Sequence, residues 1–421
     1  MSNIFKPLTL PNGQVVMNRL CKAAMEENMA DKGQIPGPTL VNLYQKWADG
    51  GAGLILTGNV MVSPTAMTGP GGVYLGDKTL AEKDNRERFE TWSSAAKSRG
   101  AKVYMQISHP GRQIYATQGT EPVSASATRV KMEGPAEKMF DHARALTSDE
   151  IRGIIKQFAD TAHAAEISGF DGVQIHAAHG YLIAQFLSPL TNLRDDEWGG
   201  SLDNRMKFLL EVVREVRARV EPKFGVAVKL NSADFQKGGY DVGDAKKVVE
   251  WLNGESVDFV EISGGSYESA AMMGMAEDGR AQSTKDREMY FLDFAKDINA
   301  SANMPLMLTG GVTKRSSVES ALKSGDVEMI GIARAMGYNP NIPNDWKEGK
   351  NLEVALPEVN WKNPLFKGLA NMAMTKMNLY RMGDGRFPLR KPKPLLSVIA
   401  QQIKNSLQTK RYKKWLENRS S

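Results

Sequence analysis

Short runs of β-branched and aliphatic residues recur along the first 340 residues of this chain, separated by longer segments with helical spacing, such as Asn204–Arg219 and Asp286–Asn299. Each run is six or seven residues long, a length typical of strands. The eight runs are Arg19–Met25, Leu54–Val60, Lys102–Ser108, Gly172–Ala178, Gly225–Asn231, Phe259–Gly265, Leu306–Gly311 and Met329–Ala335. Eight strands that alternate with helices predict an α/β fold, the (β/α)8 or TIM barrel.

Local patterns support the barrel over an open, doubly wound sheet. No Gly-x-Gly-x-x-Gly follows the first run, as a dinucleotide-binding open sheet would require. Upstream of it, Leu8–Val16 is typical of a hairpin that turns at Asn12-Gly13, and such a hairpin would close the bottom of a barrel. Thr147 and Glu150 form a capping box, which predicts that a helix begins there.

The chain has 421 residues and a single cysteine, Cys21. One cysteine excludes an intramolecular disulfide, a four-cysteine zinc site and a cysteine-ligated iron–sulfur cluster. We interpret it as a small core residue rather than a reactive thiol. No apolar run approaches the roughly 20 residues that span a bilayer, and the first ten residues lack a signal pattern. We therefore expect a cytoplasmic protein.

Charge divides the chain into an acidic body and a basic tail. Residues 361–421 carry 14 Lys and Arg against two acids, a net charge of +12, whereas the other 360 residues carry 40 basic and 46 acidic side chains, a net charge of −6. A nucleic-acid-binding domain would be more uniformly basic. The polar stretch Asn341–Lys350 separates the two parts. We predict a barrel domain over residues 1–345 and a basic, helical, docked C-terminal extension over residues 346–421.

The segment after Pro394 predicts a basic amphipathic helix. Its apolar residues recur with helical spacing close to lysines and arginines: Leu396, Ile399, Ile403 and Leu407. The alternatives are contact with nucleic acid, with an anionic membrane, with a second subunit, or with the barrel itself. We favour docking on the barrel or a partner subunit, because the body's net charge of −6 is complementary to the tail.

Polar side chains are expected inside the barrel near the C-terminal ends of three neighbouring strands. In the third, fourth and fifth runs one face is aliphatic, and the opposite face carries Gln106, His176 and Lys229. A barrel core is normally filled with branched aliphatic residues, and active sites lie at this end. Internal hydrogen bonds alone are the alternative, but three polar residues at equivalent depths favour a polar ligand.

The last two strands end beside glycine, at Leu306–Val312 and Met329–Arg334. Bare backbone N–H groups at this position and the Arg334 guanidinium indicate a phosphate site. The fourth strand ends in the block His176-Ala-Ala-His-Gly-Tyr181. His176 and His179 are candidates for donating hydrogen bonds to a substrate oxygen, and Tyr181 for donating a proton. A metal site is less favoured, because the block contains no carboxylate to complete a ligand set.

Together these blocks resemble the Old Yellow Enzyme family of flavin-dependent ene reductases over about residues 4–340. The motifs that carry the resemblance are Asn18-Arg19…Met25, Gln106-Ile-Ser-His-Pro-Gly-Arg112, His176-x-x-His-Gly-Tyr-Leu…Gln-Phe-Leu-Ser-Pro, Asp196-Glu-Trp-Gly-Gly-Ser-Leu-Asp-Asn-Arg205, Thr309-Gly-Gly and Gly331-Ile-Ala-Arg334. The resemblance implies a TIM barrel with non-covalent FMN, which takes hydride from NADH or NADPH and reduces the C=C bond of activated alkenes such as enones and nitro compounds.

The resemblance also implies a role for each candidate residue. Against the flavin it places Ala23, Ala24, Met25, Glu26 and Asn59, with Gln106 at the pyrimidine edge and Lys229 near N1 and O2. At the FMN phosphate it places Gly310, Gly311, Ala333 and Arg334. Around the substrate it places His176 and His179 at the oxygen, Tyr181 as proton donor and Tyr267 in the wall, although a plain loop role for Tyr267 fits equally well.

Three positions depart from the family pattern: Ala24 stands for a proline, Glu26 for a threonine or cysteine, and Lys229 for an arginine. An ionised carboxylate at position 26 would make flavin reduction harder. The single cysteine excludes the relatives that carry an iron–sulfur cluster, such as dienoyl-CoA reductases. Two other functions stay open: a metal-dependent barrel lyase or hydrolase that uses His176 and His179, and an FMN-dependent RNA-modifying reductase that uses the basic tail.

Overall fold

The computed structural model describes residues 3–132, 134–265, 268 and 291–420. Its strands are β1 (Leu8–Thr9), β2 (Val15–Val16), β3 (Leu20–Lys22), β4 (Leu54–Leu56), β5 (Val60–Met61), β6 (Val73–Tyr74), β7 (Lys102–Ser108), β8 (Val123–Ser124), β9 (Arg144–Ala145), β10 (Gly172–Ala177), β11 (Gly225–Asn231), β12 (Phe259–Ser263), β13 (Leu306–Thr309) and β14 (Met329–Ile332). Its α-helices are α1 (Pro38–Asp49), α2 (Lys83–Lys97), α3 (Ser148–Ile167), α4 (Leu182–Leu187), α5 (Leu202–Arg219), α6 (Val242–Leu252), α7 (Leu292–Asn299), α8 (Arg315–Ser324), α9 (Arg334–Tyr338), α10 (Ile342–Lys347), α11 (Pro364–Gly383) and α12 (Pro394–Ser420). Short 3-10 helices cover Asn3–Phe5, Lys32–Gln34, Thr79–Ala81, Ala116–Gln118 and Gly134–Met139.

Eight parallel strands close into a barrel. They pair in the order β3, β4, β7, β10, β11, β12, β13 and β14, and β14 returns to β3. All eight lie within the predicted runs, so the predicted (β/α)8 barrel is confirmed. Strand β3 ends at Lys22, three residues before the end of its predicted run, although the Ala23 N–H still donates to the Ile332 carbonyl at 3.0 Å. The chain then leaves the sheet for the loops at the C-terminal end.

The predicted hairpin closes the opposite end of the barrel. Strands β1 and β2 pair antiparallel, and the Asn12 backbone N–H donates to the Asp258 carboxylate at 2.9 Å. The Gln14 side chain donates to the carbonyls of Asp171 and Lys223 at 2.7 and 2.8 Å. These three partners lie just before β12, β10 and β11, so the hairpin covers the N-terminal end of the barrel, as predicted.

The alternation of side chains along the strands separates two apolar clusters. Val103, Met105 and Ile107 of β7 face outward and pack with the surrounding helices, whereas Tyr104 packs inside the barrel. Cys21 lies in this inner cluster, fully buried, and burial together with the charge of Glu261 raises the pKa of its thiol. Its burial in this cluster confirms its interpretation as a core residue, and a thiol with a raised pKa is a poor nucleophile.

Helix α3 begins where the capping box predicted. The Thr147 hydroxyl accepts from the Glu150 N–H at 3.3 Å, and the Glu150 carboxylate accepts from the Thr147 N–H at 2.8 Å. Helix α5 covers the predicted segment Asn204–Arg219. Helix α7 covers the end of the predicted Asp286–Asn299, of which residues 286–290 lie outside the described residues.

The C-terminal extension is helical. Helix α10 spans the predicted boundary between residues 345 and 346, and its Trp346 is fully buried. Helix α12 then lies against the barrel's loops: the Tyr412 hydroxyl donates to the Pro64 carbonyl at 2.8 Å, and the Gln408 amide donates to the Asn28 carbonyl at 2.7 Å. None of the helices in the described ranges is both long and apolar enough to cross a membrane.

The face of α12 that meets the barrel is not the one we expected. The apolar residues predicted to dock on the barrel or on a partner subunit, Leu396, Ile399, Ile403 and Leu407, are exposed in the single chain, so they do not dock on its barrel. Tyr412 is fully buried and packs with Met61, Met67 and Tyr74. The reason is physical: hydrogen bonds and aromatic contacts of Gln408 and Tyr412 fix the opposite side of the helix against the loops, which leaves the aliphatic side outward.

Candidate active site

Inward-facing side chains change from apolar to polar along the barrel axis. Tyr104 and Phe259 fill the bottom beneath a buried chain of polar side chains. In that chain the Gln106 amide donates to Gln174 at 2.7 Å, and the Gln174 amide donates to a Glu261 oxygen at 2.7 Å. The Lys229 ammonium donates to the other Glu261 oxygen at 2.8 Å. Four neighbouring strands, β7, β10, β11 and β12, thus form one hydrogen-bonded layer.

This layer confirms that Gln106 and Lys229 face inward, and it shows that each has an internal partner. Internal hydrogen bonding was the alternative to a ligand. It accounts for one hydrogen bond of Gln106, to Gln174, and for one of Lys229, to Glu261. An ammonium has three donors, of which Glu261 takes one. Glu261 and the linking Gln174 were not assigned to the site from the sequence. The signal for Glu261 was present, because outward Val260 and Ile262 place it on the inward face.

His176, His179 and Tyr181 meet directly above this layer. The His176 ring lies 5.1 Å from the His179 ring and 4.8 Å from the Tyr181 ring, both edge-on. Strand β10 ends at Ala177, and the chain then takes left-handed conformations at His179 (φ 60°) and Gly180 (φ 72°). Tyr181 stands at the N-terminus of α4 and is 6% exposed. This tight turn folds the three side chains together.

Both histidines are held neutral. Burial lowers their pKa values well below the ordinary value, and the nearby charge of Lys229 lowers them further. The Ala178 N–H donates to Nδ1 of His176 at 3.3 Å, so the proton of the neutral ring is on Nε2. Nε2 of His179 lies 2.9 Å from the Ser263 hydroxyl. Neutral imidazoles each offer one N–H donor without a full charge.

The residues after β3 reach the C-terminal extension. Glu26 accepts from the Thr68 hydroxyl at 2.7 Å, and Asn59 donates to the same hydroxyl at 3.2 Å. Lys376 of helix α11 lies 3.4 Å from the second Glu26 oxygen. Burial raises the pKa of Glu26, but Lys376, Thr68 and Asn28 together lower it below its ordinary value. Glu26 is therefore ionised at neutral pH.

Ala23 is buried, and Ala24 and Met25 are half-buried. Ala24 packs beside the inner cluster and Met25 beside the outer one.

The ends of β13 and β14 have the backbone expected of a phosphate site. Gly310 (φ 150°) and Gly311 (φ 66°) adopt conformations that favour glycine. A Cβ atom at Gly331 would lie 2.0 Å from the Thr309 hydroxyl, so a larger residue at this position would displace that side chain. Ala333 is half-buried, and Arg334 starts helix α9 with an exposed side chain.

The upper barrel fits the FMN implied by the family resemblance. Within the described ranges, the buried hydroxyls of Ser108 and Thr309, at the ends of β7 and β13, have no hydrogen-bond partner. Unpartnered buried hydroxyls cost stability unless a ligand meets them. With the glycine-lined strand ends, they form polar surroundings open to a ligand. Gln106 and Lys229 would face the isoalloxazine, and Gly310, Gly311, Ala333 and Arg334 would hold the phosphate.

The contacts join the predicted residues into three groups: the His176, His179 and Tyr181 cluster, the Gln106 to Lys229 layer, and the Asn59 to Glu26 chain. Sequence reasoning did not find Thr68, Ser263 or Lys376, because each comes from a distant segment. Tyr267 lies outside the described residues. Among the residues that the structure describes, no three His, Cys, Asp or Glu side chains cluster as a metal would need.

Comparison with known proteins agrees with this geometry. The family model of the NADH:flavin oxidoreductase / NADH oxidase family matches residues 3–353. The chain is 38% identical over 357 residues to the NADH-dependent flavin oxidoreductase iliE of Hypocrea jecorina, covering 80% of this chain and 87% of that protein. It is 36% identical to the NADH-dependent flavin oxidoreductase nadA of Aspergillus parasiticus, covering 82% and 78%.

The fold also matches the solved structure of the old yellow enzyme homologue from Zymomonas mobilis. The TM-score is 0.70 at 25% identity, and the match covers 83% of this chain and 94% of that one. The chain therefore belongs to the NADH:flavin oxidoreductase / NADH oxidase family, the Old Yellow Enzyme family of FMN-dependent oxidoreductases that take hydride from NADH or NADPH.

Proposed function

We propose that this protein reduces the C=C bond of activated alkenes, such as enones and nitroalkenes, with Tyr181 as the proton donor. The observation that carries the proposal is the cluster of two neutral histidines and a buried tyrosine at the C-terminal end of the barrel. FMN, when bound, supplies the hydride chemistry. The protein residues bind and orient the alkene and supply the proton.

His176 and His179 serve to polarise the substrate's carbonyl or nitro oxygen. Hydride addition at the β-carbon moves negative charge onto that oxygen, and preorganised donors stabilise this charge. Nε2–H of His176 is one donor. Nε2 of His179 lies 2.9 Å from the Ser263 hydroxyl. We take the tautomer of His179 in which this hydroxyl donates to Nε2 and Nδ1–H is the second donor. Because both rings are neutral, they donate hydrogen bonds to the oxygen, and Tyr181 remains the acid that protonates the substrate.

Tyr181 serves to protonate the α-carbon as hydride arrives at the β-carbon. A positioned general acid contributes about 10²- to 10⁴-fold to the rate. Lys229, which pairs with Glu261 beneath the histidines, would contact the N1 and O2 side of the flavin, as the family resemblance implies. The remaining flavin-side residues, Ala23, Ala24, Met25, Glu26 and Asn59, serve as its walls.

The test separates the two half-reactions. The purified flavoprotein is reduced anaerobically with NADH or NADPH and then mixed with cyclohexenone, and the return of the oxidised flavin absorbance is followed. We expect Tyr181→Phe to be reduced at the wild-type rate and to be reoxidised by the enone about 10²- to 10⁴-fold more slowly. Tyr240→Phe is the matched control, because the buried Tyr240 hydroxyl has no hydrogen-bond partner among the described residues.

Two results would contradict the proposal. Unchanged reoxidation of Tyr181→Phe by the enone would remove Tyr181 from proton transfer. Failure of wild-type reduced enzyme to react with enones or nitroalkenes, with rapid reoxidation by oxygen, would indicate an NADH oxidase instead.

A further inference from the structure

The outer side of helix α12 carries a continuous apolar surface, which we call the α12 stripe: Leu395, Leu396, Ile399, Ile403 and Leu407. Each side chain is between 47% and 61% exposed. Leu396, Ile399, Ile403 and Leu407 recur every three or four residues, and Leu395 precedes Ile399 by four, so all five lie along one side of the helix. Single exposed aliphatic residues are ordinary, but five on one face mark a binding surface.

The barrel does not cover this stripe, because other residues of the same helix hold it in place. Val398 packs with Val359 and Met374 near the start of the helix, and Gln408 and Tyr412 bond the barrel loops further along. Turning the stripe inward would break these contacts at both ends. The stripe therefore remains outward in the folded chain.

Cations bound the stripe at both ends. Exposed Lys410 and Lys414 follow Ile403 by seven and eleven residues, so they continue the same side of the helix. Exposed Arg390 and Lys391 precede it. Residues 386–420 carry ten Lys and Arg against a single acid. The occupant of the stripe must therefore be apolar at its centre and anionic around it.

A second copy of this chain does not meet that requirement. In an antiparallel pair crossing at the middle of the stripe, Lys410 of one copy would approach the cations before the stripe of the other. In a parallel pair, Lys410 would face its own equivalent. Either arrangement brings like charges together, which destabilises an interface.

We propose that helix α12 binds the surface of an anionic lipid bilayer, with the α12 stripe at the boundary between headgroups and acyl chains. Lys410, Lys414 and the cations before the stripe would contact the acidic headgroups. A basic amphipathic helix with low overall hydrophobicity binds in this way, lying in the plane of the interface. Since the contacts of α12 hold it on the barrel, binding would bring the whole enzyme to the membrane surface.

The test uses the full-length, flavin-loaded protein and sedimentation with vesicles. One set contains phosphatidylcholine alone and the other contains about 30% phosphatidylserine, in about 0.1 M salt. We expect the wild-type protein to sediment with the second set only. Ile399→Ser/Ile403→Ser should weaken partitioning about tenfold or more, and Lys410→Gln/Lys414→Gln should weaken it by about the same factor.

The matched control is Met17→Ser/Leu193→Ser, which removes two equally exposed apolar residues from the barrel and should bind like the wild type. Flavin absorbance shows that each variant is folded. The proposal is overturned if the wild type stays in solution with anionic vesicles, or if Ile399→Ser/Ile403→Ser sediments as the wild type does. Light scattering that shows a wild-type dimer and a monomeric Ile399→Ser/Ile403→Ser, with no vesicle binding, would assign the stripe to a second copy.

Discussion

The pair formed by Lys229 and Glu261 is buried, with side chains 4% and 0% exposed. Removing one member leaves the other charge without compensation, and breaking such a pair costs about 3–5 kcal/mol. We expect Lys229→Met and Glu261→Gln each to lower the free energy of unfolding by about this amount. Lys229→Met/Glu261→Gln should lose less than the sum, because it leaves no uncompensated charge.

Urea unfolding of the four proteins measures this coupling. Arg214→Met is the control, because the Arg214–Glu255 pair lies at the surface, and it should cost less than about 1 kcal/mol. If the loss of unfolding free energy in the double variant equalled the sum of the two single losses, the two charges would not stabilise each other.

The buried His109 and His176 and the half-buried His179 make stability depend on pH. Burial lowers the pKa of His109 to about 3, and His176 and His179 are also shifted downward. The unfolded chain takes up these protons near pH 6.5, whereas the folded chain does not. The free energy of unfolding should therefore fall as the pH drops below about 6.5, by up to about 1.4 kcal/mol per pH unit for each histidine.

Urea unfolding between about pH 5 and pH 7 measures this slope. His109→Asn should reduce it by up to about 1.4 kcal/mol per pH unit, since the unfolded chain then has one fewer histidine to take up a proton. The exposed His142 is replaced in parallel, as His142→Asn, to provide a surface control. A slope that His109→Asn does not alter would mean that His109 takes up its proton in the folded chain.

Single residues also show the limit of reasoning from sequence. The two-residue period of a strand was enough to place Gln106, His176 and Lys229 inside the barrel. It did not reveal that Lys229 faces Glu261, because that contact depends on the register between β11 and β12. A lysine assigned to the flavin alone is, in the structure, half of an ion pair.

At the scale of elements, helix α11 contributes to the candidate flavin site through Lys376. Its ammonium is the largest favourable influence on the ionised Glu26. A negative charge near a flavin opposes its reduction, and a positive charge favours it. We expect Glu26→Gln to raise the midpoint potential of the bound flavin and Lys376→Met to lower it, with Glu26→Gln/Lys376→Met between the two.

Anaerobic potentiometry of the bound flavin tests this prediction near neutral pH. Lys367→Met removes a lysine from the same helix and should leave the potential at the wild-type value. Equal potentials in all variants would place Glu26 and Lys376 too far from the flavin to influence it.

The barrel strands and helix α12 were predicted from the sequence, but the side of α12 that docks was not, and the difference has a physical reason. The barrel strands were found because each must be apolar on at least one face to be buried. The α12 helix was also found, but its docked side was not. Amphipathicity shows which side of a helix is apolar, whereas the docked side depended on whether the loops offered partners to Gln408 and Tyr412.

At the scale of the whole molecule, the division into a barrel and an extension remains a prediction, and Tyr412 tests it. This residue is fully buried between α12 and the barrel loops, and replacing a buried aromatic residue by alanine costs about 3–5 kcal/mol. We expect Tyr412→Ala to lower the melting temperature of the whole protein. Removal of residues 394–421 should lower it further, with the flavin still bound in both proteins.

Circular dichroism and flavin fluorescence, recorded through the same melt, distinguish one cooperative unit from two. Coincident transitions are the mark of a single unit. If the extension belongs to the barrel's cooperative unit, the two signals should shift together in Tyr412→Ala. Tyr380→Phe, which removes a hydroxyl that bonds the same Asn28 carbonyl as Gln408, serves as a milder variant and should shift both by less. An early loss of helix in Tyr412→Ala, with the flavin transition at its wild-type temperature, would instead show that the extension unfolds on its own.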